Sequence, residues 1–146
     1  MRINFGKAVL AGIIGTLVMT AVGLWVAPMM GIPRMNPADM LAGQMGGNIV
    51  LGWVGHLMIG TILALIYAGV SSRLAGPFVL RGAIFGLAPY LMAQLLVMPM
   101  MGMPVFSGSL PMAVGSLIGH LVYGAVVGAV YGAGAETSSP RRAIAV

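Results

Sequence analysis

The stretch that decides the fold is residues 82–135, GAIFGLAPYLMAQLLVMPMMGMPVFSGSLPMAVGSLIGHLVYGAVVGAVYGAGA, which contains no charged residue. A membrane-spanning helix needs about 20 apolar residues, so this stretch is long enough for two spans joined by a turn. Two further uncharged stretches, 8–33 and 40–72, have room for one span each. We therefore predict four transmembrane helices near residues 8–29, 49–70, 80–101 and 112–133.

The composition indicates that lipid is the solvent of this chain. Its 146 residues are 60% hydrophobic and 6% charged, with a mean hydropathy of +1.04, whereas about 25% of the residues in a soluble domain are charged. The absence of cysteine excludes disulfides, iron–sulfur clusters and haem attached through the chain's own thiols. The two acidic residues, Asp39 and Glu136, lie outside the spans and no nucleophile–base pair is visible, so we do not expect an enzyme.

The distribution of basic residues predicts the orientation in the membrane. With four spans, both termini and residues 71–81 lie on one side, which carries six of the seven basic residues, and Arg34 lies on the other. Lys and Arg are enriched in cytoplasmic segments, which predicts a multi-pass inner (plasma) membrane protein with both termini in the cytoplasm. The basic residues sit at segment ends and form no stripe interleaved with aromatic residues, so we expect no nucleic-acid partner.

The segment between the first two spans predicts a short helix at the membrane surface. Asn36 is suited to cap a helix that begins at Pro37. We expect this helix to end near Gln44, before the pair Gly46-Gly47. The polar residues 135–146 predict a loose cytoplasmic tail.

The two halves of the chain are related by an internal repeat. The string P-M-M-G-x-P occurs at residues 28–33 and 99–104, and G-H-L-x-x-G occurs at 55–60 and 119–124. These matches predict a single domain made of two helical hairpins, about 8–70 and about 80–134, which enter the membrane from the same side. The predicted fold is an all-α bundle with a pseudo-two-fold axis along the membrane normal.

The repeat places His56 and His120 at the same depth, roughly 10–12 Å below the outer boundary at 1.5 Å per residue. Small residues stand four positions before and after each histidine, on the same helix face. They are Gly52, Gly60, Ser116 and Gly124. The first hypothesis is a b-type haem with His56 and His120 as axial ligands and its ring in the gap left by these small residues.

Three alternatives to haem remain open on the residues alone. A chlorophyll-type macrocycle would use the same small-residue and histidine pattern. Small residues spaced by four also mediate plain helix packing in membranes, which would make the chain a cofactor-free structural or assembly subunit. The third alternative is copper(I), because thioethers select this ion. The chain has 14 methionines, and Met29, Met30, Met100 and Met101 of the repeated strings are the candidate ligands beside the histidines.

Together these features predict a small membrane subunit for electron transfer, or an accessory subunit of a respiratory-type complex. The expected partners are the lipid bilayer and either other membrane subunits or a periplasmic electron carrier.

Overall fold

Four long helices and one short helix make up the described part of the chain. The computed structural model describes residues 3–132, so the predicted tail 135–146 lies outside the described residues. We label the helices in chain order. They are α1 (Phe5–Met29), α2 (Pro37–Gln44), α3 (Ile49–Val70), α4 (Phe78–Met100) and α5 (Leu110–Gly132). The four long helices are apolar enough to cross a membrane, so the predicted all-α four-helix membrane bundle is confirmed.

Asparagine side chains cap three of the five helices. The Asn4 side chain accepts from the Lys7 backbone N–H at 3.0 Å, and the Asn48 side chain accepts from Val50 and Leu51 at the start of α3. The predicted helix α2 is also confirmed, because Asn36 Oδ1 accepts from the Ala38 N–H at 3.1 Å. Such caps satisfy backbone donors that water reaches poorly near a membrane.

The first helix of each repeat, α1 and α4, ends with the same backbone conformation. The last turns of α1 and α4 contain π-helical segments, Val22–Val26 and Ala93–Val97, which are 71 residues apart like the sequence repeat. A proline lies two residues after each segment, Pro28 and Pro99. Proline has no backbone N–H to donate and its ring clashes with the carbonyl group four residues earlier, which accounts for the widened helical turn. Each helix then stops at a glycine with positive φ, Gly31 at 75° and Gly102 at 78°. The sequence repeat is therefore matched in backbone geometry.

The helices pack closely wherever glycine removes the side chain between them. A Cβ on Gly82 or Gly124 would overlap the other residue's carbonyl oxygen, so the backbones of α4 and α5 touch. Gly12 of α1 packs in the same way against Gly60 of α3. α1 also contacts α5, where Gly15 lies against the Tyr123 ring. The order across the bundle is thus α3, α1, α5 and α4, with the small-residue interfaces typical of membrane helices.

The bundle departs from its internal symmetry in one place. The tight contact of α1 with α5 corresponds by the repeat to a contact of α4 with α3, yet α3 and α4 scarcely touch. They meet at Tyr67, whose hydroxyl donates to the Phe78 carbonyl at 3.4 Å and whose ring packs edge-on against Phe85. We call the side of the membrane near Tyr67 and residues 71–77 the terminal side. The opposite side, with residues 30–48 and 101–109, is the loop side.

The buried core occupies the terminal half of the bundle. Its largest fully buried side chains include Tyr67, Tyr123 and Val127, packed with Ala11 and Ala64. Tyr123 also donates a hydrogen bond to the carbonyl oxygen of Gly60 at 2.5 Å, which ties α5 to α3. In the loop half, where α3 and α4 diverge, the space between the helices is a cavity.

Candidate functional site

The cavity in the loop half brings both histidines of the chain to one space. It has a volume of about 170 Å³ and is lined by residues from all five helices. His56 reaches it from α3 and His120 from α5, as the repeat predicts for residues at equal depth. His56 is 8% exposed and His120 is partly buried. Both imidazoles line the same cavity.

A threonine on α1 holds the ring of His56. The Thr20 hydroxyl oxygen lies 2.9 Å from the Thr16 carbonyl oxygen, to which it can donate, and 3.0 Å from His56 Nε2. In the tautomer in which Thr20 donates to Thr16, His56 Nε2 carries a proton and donates it to Thr20, and the lone pair of the imidazole is on Nδ1.

His120 is fixed through its other nitrogen. Its Nδ1 lies 2.8 Å from the carbonyl oxygen of Ser116, and a carbonyl oxygen only accepts, so Nδ1 carries the proton. Nε2 is left with the lone pair. The Tyr90 ring packs edge-on against the imidazole with the ring centroids 5.9 Å apart. In that tautomer the two histidines, which are equivalent by the repeat, have their lone pairs on different nitrogens, Nδ1 of His56 and Nε2 of His120.

A buried glutamine connects the cavity wall to the loop side. Gln94 is 1% exposed, and its Nε2 donates to the Ser116 hydroxyl oxygen at 2.9 Å. Its Oε1 accepts from the hydroxyl of Ser107 at 3.0 Å. Ser107 lies in a turn with a left-handed backbone, φ 59°. The glutamine therefore holds this turn and the Ser116–His120 segment of α5 in a fixed relation.

Methionine is the commonest side chain around the histidines. Seven of the 25 lining residues are methionines, which is half of the chain's 14. They are Met19, Met35, Met40, Met92, Met98, Met101 and Met112. Within residues 3–132, no group of three or more His, Cys, Asp or Glu could hold a metal ion. A metal in this cavity would therefore need thioether sulfur beside the imidazoles.

The cavity reaches the protein surface between α3 and α4. Ile59 of α3 and Met92 of α4 both line the cavity, and they are 41% and 44% exposed. Both lie inside the membrane-spanning helices. The mouth between them therefore opens to the hydrocarbon of the bilayer.

The structure brings only some of the sequence-predicted residues to this cavity. Gly60 and Ser116 line it, together with the two histidines and Met101. The other predicted small residues lie elsewhere. Gly52 packs against the backbone of α2 at Ala38, and Gly124 packs against α4 at Gly82.

The remaining methionines of the copper hypothesis lie at the surface. Met29, Met30 and Met100 are 86%, 59% and 84% exposed and do not line the cavity. The two P-M-M-G strings thus differ in what they reach, since only the second places a methionine, Met101, on the cavity wall.

Two polar residues of the site escaped the sequence analysis in this role. Thr20, which orients His56, stands one turn after Thr16 in an otherwise apolar span. Two hydroxyls at this spacing on one helix face were a signal that the sequence offered. Gln94 is a polar residue within the third predicted span, but its two serine partners are 13 and 22 residues away along the chain, which no local pattern reveals.

Comparison with known proteins assigns a family without a function. A family model matches residues 3–141 and is described as a family of unknown function, DUF6789. The chain belongs to the DUF6789 family. No curated protein and no solved structure shows significant similarity to this chain. Its function has to be inferred from the geometry of the cavity.

Proposed function

We propose that this DUF6789 chain binds copper(I) in the membrane, in the cavity between its two histidines. The ligands are His56 Nδ1, His120 Nε2 and one or two thioethers from the methionines that line the cavity. The observation that carries the proposal is that both imidazoles and half of the methionines share one small space. Imidazole nitrogen and thioether sulfur together select copper(I) over the hard cations.

Hydrogen bonding to the non-ligating nitrogens supports a metal role for the histidines. In metal sites the second ring nitrogen of a histidine almost always donates to a carbonyl, carboxylate or hydroxyl group, which fixes the ring and raises its basicity. His56 donates to Thr20 and His120 to the Ser116 carbonyl oxygen. Both rings are therefore held with one lone pair each before any metal binds.

The charge of the site favours a monovalent ion. Asp39 and Glu136 are the only acidic residues of the chain. Asp39 lies on α2 and does not line the cavity, and none of the four described membrane-spanning helices contains an acidic residue. All the proposed ligands are neutral, so the charge of the bound ion stays uncompensated inside the membrane. Because the cost of burying a charge rises steeply with its magnitude, copper(I) fits better than a divalent cation.

A b-type haem is the second candidate, because the cavity opens to lipid between Ile59 and Met92. A flat ring could reach the histidines through that mouth. Size opposes it, since 170 Å³ is below the about 300–1,000 Å³ of pockets for drug-sized ligands. Haem or a chlorophyll-type ring would need α3 and α4 to separate. The helices α2 and α4 also fill the spaces beside Gly52 and Gly124 that the haem hypothesis assigned to the ring.

The test is metal and pigment analysis of the protein purified in detergent. We expect a colourless protein that takes one copper(I) from a competing chelator under anaerobic conditions. His56→Ala and His120→Gln should each abolish this binding, with circular dichroism and size-exclusion profiles showing that the variants remain folded. A Soret band that is lost in both variants would establish haem instead. Absence of both copper and pigment would leave a cofactor-free structural or assembly subunit.

The cellular setting follows from the charge distribution. Of the basic residues that the structure describes, Lys7, Arg73 and Arg81 lie on the terminal side and Arg34 lies on the loop side. The positive-inside rule supports cytoplasmic termini in the inner or plasma membrane, with the cavity in the outer half of the bilayer. We propose that copper is received and passed on at the outer face, to or from other membrane subunits or a periplasmic carrier.

A further inference from the structure

The two P-M-M-G turns have the same backbone conformation, but only the second lies beside the cavity. In both, a backbone N–H three residues after the exposed methionine closes the turn, from Met103 to Met98 at 2.9 Å and from Ile32 to Ala27 at 3.1 Å. The exposed methionines, Met100 and Met29, are 84% and 86% exposed. The repeat therefore supplies two nearly identical surface thioethers on the loop side.

The surroundings of these two thioethers differ. Met100 is flanked on its own helix end by Met98 and Met101, and both of these line the cavity. At the matching positions of the first repeat stand Ala27, which is buried, and Met30, which is exposed and does not line the cavity. Only the second repeat therefore has both an exposed methionine and neighbouring methionines that line the cavity.

We propose that Met100, Met101 and Met98 form the access route by which copper(I) reaches the cavity from the loop side. This inference rests on the proposed function. The Met101 backbone N–H donates to the Met98 carbonyl oxygen at 3.1 Å, so these two cavity-lining residues are one turn apart at the end of α4. Thioethers are soft ligands that copper(I) prefers, so the three side chains offer it ligands between the surface and the cavity.

The other opening of the cavity does not serve a water-soluble copper donor. The mouth between Ile59 and Met92 faces hydrocarbon, which a charged ion or its hydrated carrier enters only at a large cost. The loop side is where aqueous donors meet the protein. Met100 is the most exposed of the three methionines, which makes it the point of first contact on that side.

The matched pair Met100→Leu and Met29→Leu tests the route. Leucine conserves the volume of methionine, so both variants are expected to fold. The full chain is placed in phosphatidylcholine nanodiscs and mixed with the coloured complex of copper(I) and bicinchoninate. Uptake is followed by loss of the colour, release by its return when excess bicinchoninate is added, and the equilibrium affinity is measured separately.

For Met100→Leu we expect uptake and release to slow by a similar factor, about tenfold, with an unchanged Kd. A residue of the route alters both rates equally, whereas a ligand alters their ratio. For Met29→Leu we expect both rates to stay within twofold of the unmodified chain.

Three results would overturn the route. They are unchanged rates in Met100→Leu, equal slowing in both variants, and a weakened Kd in Met100→Leu. In each of these cases copper still binds at equilibrium, so the proposed function survives. Failure of the unmodified chain to bind copper(I) at equilibrium would reject the proposed function, and the route with it.

Discussion

Replacing Thr20 with valine removes the hydroxyl that orients His56 and keeps nearly the same shape. In the folded protein Thr20 is 2% exposed, and its hydroxyl oxygen lies 3.0 Å from His56 Nε2, from which it accepts in the proposed tautomer. Without it, the buried Nε2–H loses its partner, which costs about 1–3 kcal/mol. Alternatively the proton moves to Nδ1 and occupies the lone pair that the metal needs.

The expected effect on copper binding follows from the same contact. Removing a hydrogen-bond partner of a ligating histidine lowers metal affinity by about 10–100-fold, which is about 1.4–2.8 kcal/mol. We expect this loss in Thr20→Val, measured by competition with bicinchoninate in detergent. The free energy of unfolding of the metal-free protein should fall as well, measured by titration with SDS.

Thr16→Val is the matched control. Thr16 is also buried on α1 and also donates to the carbonyl oxygen four residues earlier, at 2.8 Å from Gly12, but it forms no hydrogen bond to either histidine. We therefore expect the copper affinity of Thr16→Val to stay within about twofold of the unmodified chain. Equal affinities in the two variants would refute the assignment of His56 as a ligand oriented by Thr20.

Two further predictions concern the fold and the orientation. Gly124→Ala places a methyl group against the α4 backbone and should destabilise the bundle by about 1–3 kcal/mol in SDS titration. Gly43→Ala on α2, where nothing lies within 4 Å of the added carbon, should instead be neutral or stabilising by up to about 1 kcal/mol; a larger loss at Gly43 would contradict the packing described. For orientation, the chain has no cysteine, so Ser72→Cys and Met45→Cys each introduce a unique label site. In intact cells an impermeant maleimide should modify Met45→Cys, and it should modify Ser72→Cys only after permeabilisation; the reverse pattern would invert the proposed topology.

Local chemistry made the transmembrane helices and the surface helix predictable from the sequence. Hydrocarbon offers no hydrogen-bond partner to the backbone N–H and C=O groups, which must therefore bond to one another. Long uncharged stretches in a membrane are helical for this reason. The Asn36-Pro37 pair fixed the start of α2, because both residues act on the first turn alone. The repeated P-M-M-G string likewise indicated two equivalent helix ends, which the structure shows with matching backbone angles at Gly31 and Gly102.

The position of the histidines in the candidate site was only partly predictable. The repeat placed His56 and His120 at equal depth, and both line one cavity. Their hydrogen-bond partners break the symmetry, because Leu91 stands where the repeat would match Thr20. The repeat predicted equivalent histidines, whereas in the structure His56 contacts Thr20 through Nε2 and His120 contacts the Ser116 carbonyl oxygen through Nδ1.

By itself, then, the sequence determined that this chain crosses the membrane four times as two similar hairpins. Only the tertiary structure decided that α1 closes against α5 while α3 and α4 diverge and leave a cavity. The physical reason is that a helix in lipid is apolar all round, as α3 is with a hydropathy of 2.2. No periodicity marks the face that meets another helix, so the choice between the two interfaces depends on how distant side chains fit together.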